Sequence, residues 1–226
     1  MSRLNNAGGR LRPSASASQV IRVHRIPYST NVERVALAAG IKGIDVEWVD
    51  HDPADRGAIV ALSGQELVPV AEIDGDVVAD SMRIVERLEQ LRPEPALYPE
   101  HPASHAMVAI FIDWFNEVWK GPPNAIDAER AGQAPDEARI ELLLLGARSL
   151  TPRFEGMLSA HRYLMTSEAP SAADVCAFPF LKYALAETPA DDVEPFHRIL
   201  EECLKPADDL PQLLEWVRRM DALPRA

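Results

Sequence analysis

The stretch Ile26-Pro27-Tyr28-Ser29-Thr30-Asn31-Val32-Glu33-Arg34-Val35 sets one hydroxyl between an apolar run and the first turn of a helix. Two chemistries suit Ser29 there. It is a plain N-cap, as serine often is at helix starts, or its hydroxyl also donates to an anion held at the positive end of the helix. Hydrolysis through Ser29 is the poorest option, because no G-x-S-x-G elbow surrounds it. A second serine sits in a comparable place: Asp80 and Ser81 open a later helix, whose first N–H groups suit a carboxylate. The six histidines are scattered. His101 and His105 straddle Pro102 without a zincin glutamate, so no metal site is expected. His24 and His51 read as surface or strand-end residues, and Asp191, Asp192, Asp208 and Asp209 as solvated caps and loops. Cys176 and Cys203 have neither metal-like nor redox-motif spacing.

These groups need elements to hold them. "VIRVHRI" (Val20–Ile26) alternates apolar and polar residues as a strand does, and after Pro27 the period lengthens. Val32, Val35, Ala36 and Ala39 then share one helical face, with Gly40 placed as a C-cap. Ile44–Asp52 reads as a second strand, and Pro53–Ser63 as a short helix opened by Asp52 and Pro53. "LVPVAEIDGDVVAD" gives two short strands around Asp74-Gly75, a tight-hairpin dipeptide. A helix from Ser81 through Leu91 stops before Pro93. The order β-α-β-α-β-β-α predicts parallel strands and a hairpin in one sheet, with helices over it.

The proline-rich, polar stretch Arg92–Ser104 reads as a linker. Beyond it the periodicity is helical at about 103–120, 134–161, 171–187 and 208–221. In "SAADV", Ser171 and Asp174 form a capping pair assigned to folding, and Pro179 is expected to kink its helix. The expected organisation is a disordered extension over residues 1–18, an α/β domain over 19–98 and an all-helical domain over 99–226.

Composition narrows the partners. The chain has 226 residues, 47% of them apolar and 26% charged, as in an ordinary globular protein. Its formal net charge of −12 lacks the footprint that attracts nucleic acid or anionic lipid. No apolar run approaches the roughly 18 residues that span a bilayer. Two cysteines in so long a chain argue against a disulfide scaffold and fit a reducing cytoplasm.

Four stretches together resemble the soluble glutathione transferases. "PYSTNVERV" resembles the serine-type start of the first helix, most like the phi class. "LVPV" resembles the cis-proline turn, "ADSMRIVERL" the acidic-residue-plus-serine helix start, and "PSAADV" the capping box of the second domain. The resemblance implies a thioredoxin-like first domain, a helical second domain, a homodimer, and glutathione as co-substrate with no further cofactor. It implies a cis Val68–Pro69 bond that leaves the Val68 main chain to pair with an extended peptide. Ser81 would receive the γ-glutamyl carboxylate while Asp80 faces the neighbouring ammonium. Gln65, with Arg56 as a second candidate, would take the glycyl end, although the spacing from Gly64 to Pro69 is longer than usual.

Ser29 then acquires a task. A free thiol has a pKa of about 8.5, and thiolate is the nucleophile. The expected role of Ser29 is to stabilise the bound thiolate by donating to it. The aromatic-rich helix through residue 120, together with Tyr28, supplies the expected wall for a small apolar electrophile: Phe111, Trp114, Phe115 and Trp119. Core packing or a dimer contact explains those four aromatics almost as well. Cysteine is missing at the helix start, which disfavours thiol–disulfide exchange there. A transferase is the leading expectation. A glutathione-dependent isomerase and a non-catalytic binding or interaction module of the same fold remain as alternatives.

Overall fold

The structure, a computed structural model, describes residues 20–204 and 209–226. The expected extension over 1–18 and the assignment of Asp208 lie outside them.

Four strands, β1 (Arg22–Arg25), β2 (Glu47–Asp50), β3 (Val70–Ile73) and β4 (Asp76–Ala79), form one sheet in the order β2-β1-β3-β4. β1 runs parallel to β2 and antiparallel to β3, and β3 and β4 form the expected hairpin. Asp74 and Gly75 at its tip have φ of 56° and 87°, the paired positive values of a tight type I′ turn. Helices α1 (Thr30–Lys42), α2 (Gly57–Ser63) and α3 (Ser81–Leu91) complete this part. α2 starts later than Pro53, because Asp52 and Asp55 spend their carboxylates on the Ala54 and Gly57 amides of a preceding turn.

Gly40 does not end α1, which continues to Lys42 and is capped by Gly43 at φ 59°. Gly40 serves a different end: a Cβ there would lie 2.2 Å from the Pro224 carbonyl oxygen. The last residues thus lie against α1, with the Ala226 amide donating to Ala36 O at 3.0 Å and Trp48 Nε1 to Ala226 O at 3.2 Å.

Among the described residues seven further α-helices follow: α4 (Pro102–Trp114), α5 (Gly121–Arg130), α6 (Glu137–Leu150), α7 (Pro152–Ala160), α8 (Ala172–Leu181), α9 (Pro195–Leu204) and α10 (Pro211–Asp221). A π-turn, Phe115–Trp119, continues α4. The expected long helix over 134–161 is two, divided at Thr151 by Pro152, which can only begin a helix cheaply. Helix α8 is apolar all round and wholly buried, and α1 packs between it and α3. One core therefore runs through both halves, from Val35 and Ile84 to Phe115 and Phe178. Asp174 is buried as expected of a folding residue; it accepts from the Ser171 amide and hydroxyl, the Leu164 amide and Trp216 Nε1, all within 2.9 Å. The buried Lys42 ammonium pairs with Glu89 and donates to the carbonyls of Arg92 and Pro95 at 2.8 and 2.9 Å, pinning the stretch between α3 and α4. Among the described residues no helix is long and apolar enough to cross a membrane.

Candidate functional site

Ser29 is the N-cap of α1: its Oγ accepts from the Val32 amide at 3.4 Å. That bond uses a lone pair of the oxygen and leaves its proton available to donate. The preceding residue, Tyr28, has φ 64°, a left-handed conformation that costs a non-glycine residue roughly 1–2 kcal/mol. Its phenol donates to Asp191 at 3.2 Å, and the nearby Asp191 charge raises the phenol above its ordinary value, so the ring presents a neutral hydroxyl.

Three cavities meet around this turn. The first, about 550 Å³, is lined by Tyr28, Ser29, Glu33, Lys182, Tyr183 and Arg225 among others. The second, about 270 Å³, is lined by Ser29, Thr30, Arg56, Lys120, Phe180 and Phe196. The third, about 300 Å³, gathers Gln65, Val68, Pro69, Asp80 and Ser81. The second and third share Asn31, Leu67, Val68 and Lys120, so they form one continuous groove. All five expected thiol-binding residues therefore line one cavity, and Ser29 stands in the adjoining one.

Val68–Pro69 is cis, as is Glu94–Pro95. Asp80 has φ 80°, and its Oδ1 caps α3 by accepting from the Met82 and Arg83 amides at 2.9 and 3.1 Å. Those amides are thereby consumed, so a carboxylate bound here relies on Ser81 rather than on the whole first turn, while Asp80 Oδ2 faces no donor among the described residues. Ser81 is buried and its Oγ accepts from Arg34 Nη1 at 3.2 Å.

Arg34 was not anticipated as part of the site. Its buried guanidinium also donates to Cys176 O (2.8 Å), Cys176 Sγ (3.1 Å) and Asn116 Oδ1 (2.9 Å). Among the described residues no carboxylate lies within ion-pair distance of it; burial lowers its pKa, and Asp80 opposes that shift from further away. Burial likewise pushes the Cys176 thiol up, which keeps it protonated and unreactive.

The expected electrophile wall is not there. Phe111, Phe115 and Trp119 are buried in the helical core, stacked or edge-on to one another and to Phe154 and Phe180, and the half-buried Trp114 packs on Phe111 and Phe154. Of that set, Tyr28 lines the first cavity. The apolar walls of the groove are instead Ile26, Leu67, Phe180 and Phe196. Phe180 and Phe196 each follow a proline in sequence, a signal of a helix kink or start rather than of a wall.

One smaller expectation also changes. Asp192 is buried rather than solvated, bonded to His197 Nδ1 at 2.5 Å, and His197 stacks on Tyr183. His24 bonds His51 at 2.8 Å and Glu72 at 3.1 Å on the sheet. Among the described residues no group of three or more His, Cys, Asp or Glu side chains is placed to hold a metal ion.

Residues 23–96 match the glutathione S-transferase N-terminal domain family. Over 173 residues the chain is 29% identical to maleylacetoacetate isomerase of Mus musculus, a match covering 74% of this chain and 78% of that protein. The structure resembles a theta class glutathione S-transferase from Xanthomonas axonopodis pv. citri, solved with glutathione bound (TM-score 0.67, 24% identity, 90% of this chain and 93% of that one). It also resembles a beta-etherase from Sphingobium sp. strain SYK-6 (TM-score 0.75, 20% identity, 91% and 96%). These relatives do not single out the phi class to which the first-helix motif pointed. Signature and architecture agree as far as each reaches: residues 23–96 carry the glutathione S-transferase N-terminal domain signature, and the chain has the two-domain glutathione S-transferase fold.

Proposed function

We propose that the protein is a glutathione-dependent enzyme that ionises the bound thiol beside Ser29 and directs it at a small electrophile in the groove beneath Phe180 and Phe196. The observation that carries this reading is the state of Ser29: an oxygen engaged by the Val32 amide, a proton left to donate, and a 13-residue helix behind it. Lowering a thiol pKa by about two units takes about 2.7 kcal/mol. A hydrogen bond to a charged group contributes about 1.5–3 kcal/mol and a helix terminus about 0.3–1 kcal/mol, so these two groups suffice. The peptide lies along the third cavity, its ammonium at Asp80, its γ-glutamyl carboxylate at Ser81 and its glycyl end towards Gln65. The thiol proton leaves to solvent, and sulfur then attacks carbon.

The identity to a mammalian maleylacetoacetate isomerase favours a second outcome of the same chemistry. In a transferase the sulfur–carbon bond persists and a leaving group departs. In an isomerase the thiolate adds to a conjugated double bond, the resulting single bond rotates, and the same thiolate is expelled, so no glutathione is consumed. Counting thiol before and after turnover separates the two. The primary test is ultraviolet titration of the bound thiolate in wild type and Ser29→Ala. The expected result is a thiol pKa at least one unit higher in the variant; the same pKa in both proteins removes Ser29 from the mechanism.

Met107 and Ile110 on α4 and Leu142 and Leu145 on α6 are each more than half exposed, which supports the homodimer; a monomer mass in sedimentation rejects it. Buried, unpaired Cys176 and Cys203 support a reducing, cytoplasmic setting.

A further inference from the structure

Lys120 lines both cavities of the groove, half-buried at the end of the π-turn. Its ammonium lies 4.6 Å above the Phe180 ring, which also carries the Arg34 guanidinium at 4.7 Å. Among the described residues neither cation has a carboxylate within ion-pair distance, and the Lys120 ammonium makes no hydrogen bond. Two positive charges on one aromatic ring, unneutralised and partly desolvated, repel each other and disfavour the empty groove. The effect is visible on the lysine itself: burial first, then Arg34, lowers its pKa to about 8 against the opposing pull of Cys176, Asp80 and Glu117.

Glutathione does not account for this charge. Its ammonium and one carboxylate are matched by Asp80 and Ser81, and its glycyl end by Gln65, all in the third cavity; Arg56 lines the second cavity but spends Nε and Nη1 on the Pro53 and Glu66 carbonyls. Lys120 is left over: it lines both cavities, and its ammonium lies over Phe180, which with Phe196 lines the cavity left for the second substrate. We infer that Lys120 is an anion receptor for that substrate, so the electrophile is an apolar body bearing a carboxylate rather than a neutral hydrocarbon-like molecule. This rests on the glutathione-dependent reading above. An ammonium over an aromatic face, approached by a carboxylate, forms a charge-assisted bond at one end while the apolar remainder packs on the rings.

The test compares 4-chloro-3-nitrobenzoate with 1-chloro-2,4-dinitrobenzene, aryl chlorides that differ in carrying a carboxylate or a nitro group para to chlorine. The readout is the ratio of their kcat/KM values with glutathione, in wild type, Lys120→Met and Lys120→Arg. The ratio is expected to fall about tenfold or more in Lys120→Met, the usual scale of a lost charged hydrogen bond, and to recover in Lys120→Arg. An unchanged ratio overturns the inference. So does an equal loss on both probes that tracks weaker glutathione binding, since Lys120 would then serve the peptide.

Raising the pH through about 8 should lower the wild-type ratio as Lys120 loses its proton. Thiolate formation affects both probes alike and cancels. The charged groups facing this region are Arg34, Asp80 and Glu117, with Arg56, Asp127, Glu194 and His197 across the groove. In Lys120→Met the ratio should be flat over the same range, and a slope equal to wild type counts against the lysine. Calorimetric binding of the benzoate without glutathione reads the subsite even where no turnover occurs. At least tenfold tighter binding to wild type than to Lys120→Met supports the receptor, and equal binding rejects it, so failure of the glutathione reading is distinguishable from failure of this one.

Discussion

The starts of α1 and α3 carry the same residue type in the same kind of place, yet they are built for different tasks. Ser29 is a half-buried cap whose oxygen accepts from a neutral amide at 3.4 Å. Ser81 sits one position inside its helix, is buried, and accepts from a guanidinium at 3.2 Å. Each hydroxyl keeps its proton for a ligand, but only Ser81 is polarised by a full positive charge. Asp80 has also taken the two amides that a bound carboxylate would otherwise use. Under the proposed function, the comparison teaches that one serine would respond to a charge that develops on a ligand, and the other would hold a charge that is always there.

Alanine at each serine tests that division, and Ser29→Ala carries the larger effect. We expect kcat/KM to fall about a hundredfold, the equivalent of two pKa units, with glutathione affinity changed less than about threefold on the scale of one weak contact. Ser81→Ala should do the reverse: calorimetry should show glutathione binding weakened about tenfold, with kcat at saturation within about twofold. Equal losses in kcat from both variants break the comparison.

A subtler separation comes at Asp80, where the side chain caps α3 and, under the proposed function, also faces the ligand. Asp80→Ala should cost about 1–2 kcal/mol in urea unfolding, through the lost cap and the unrelieved positive φ. Asp80→Asn keeps an oxygen acceptor and tolerates that φ, so its stability should stay within about 0.5 kcal/mol of wild type while glutathione binding weakens as it does in the alanine variant. The smallest effect is expected at Tyr28. Glycine there removes a left-handed penalty of roughly 1–2 kcal/mol and adds unfolded-state freedom of about 0.5–1 kcal/mol, for a net gain of about 0.5 kcal/mol at a side chain that is 48% exposed. A loss of stability instead would show that the phenol–Asp191 bond outweighs the backbone strain.

Helix starts were legible in the sequence because their signals are local. The Ser29 cap, the Asp80-Ser81 start, the Asp74-Gly75 turn and the Ser171/Asp174 pair each depend on neighbours within a few residues, and each is found where expected. The substrate walls were not legible, because they depend on which face of α4 meets which other helix. Phe115 and Trp119 look like a wall until Phe154 and Phe180, more than thirty residues away in sequence, close over them. Arg34 was invisible for the same reason: an arginine in an amphipathic helix reads as solvent-facing, and only the arrival of α8 buries it. Helix α5 hid behind Pro122 and Pro123, which read as breakers but fall in its first turn, where proline is tolerated.

Gly40 shows how far from the chemistry a geometric requirement can reach. It stands about three turns along α1 from Ser29, touching no ligand, with the Pro224 carbonyl seated where any other residue would have a side chain. Arg225, beside that seat, reaches back to Glu33 at 3.4 Å, one turn from the cap. The seating of this terminal segment on α1 thus depends on a methyl group's worth of empty space. Under the proposed function, a mutation there would register in an activity screen as a lesion of a site it never contacts.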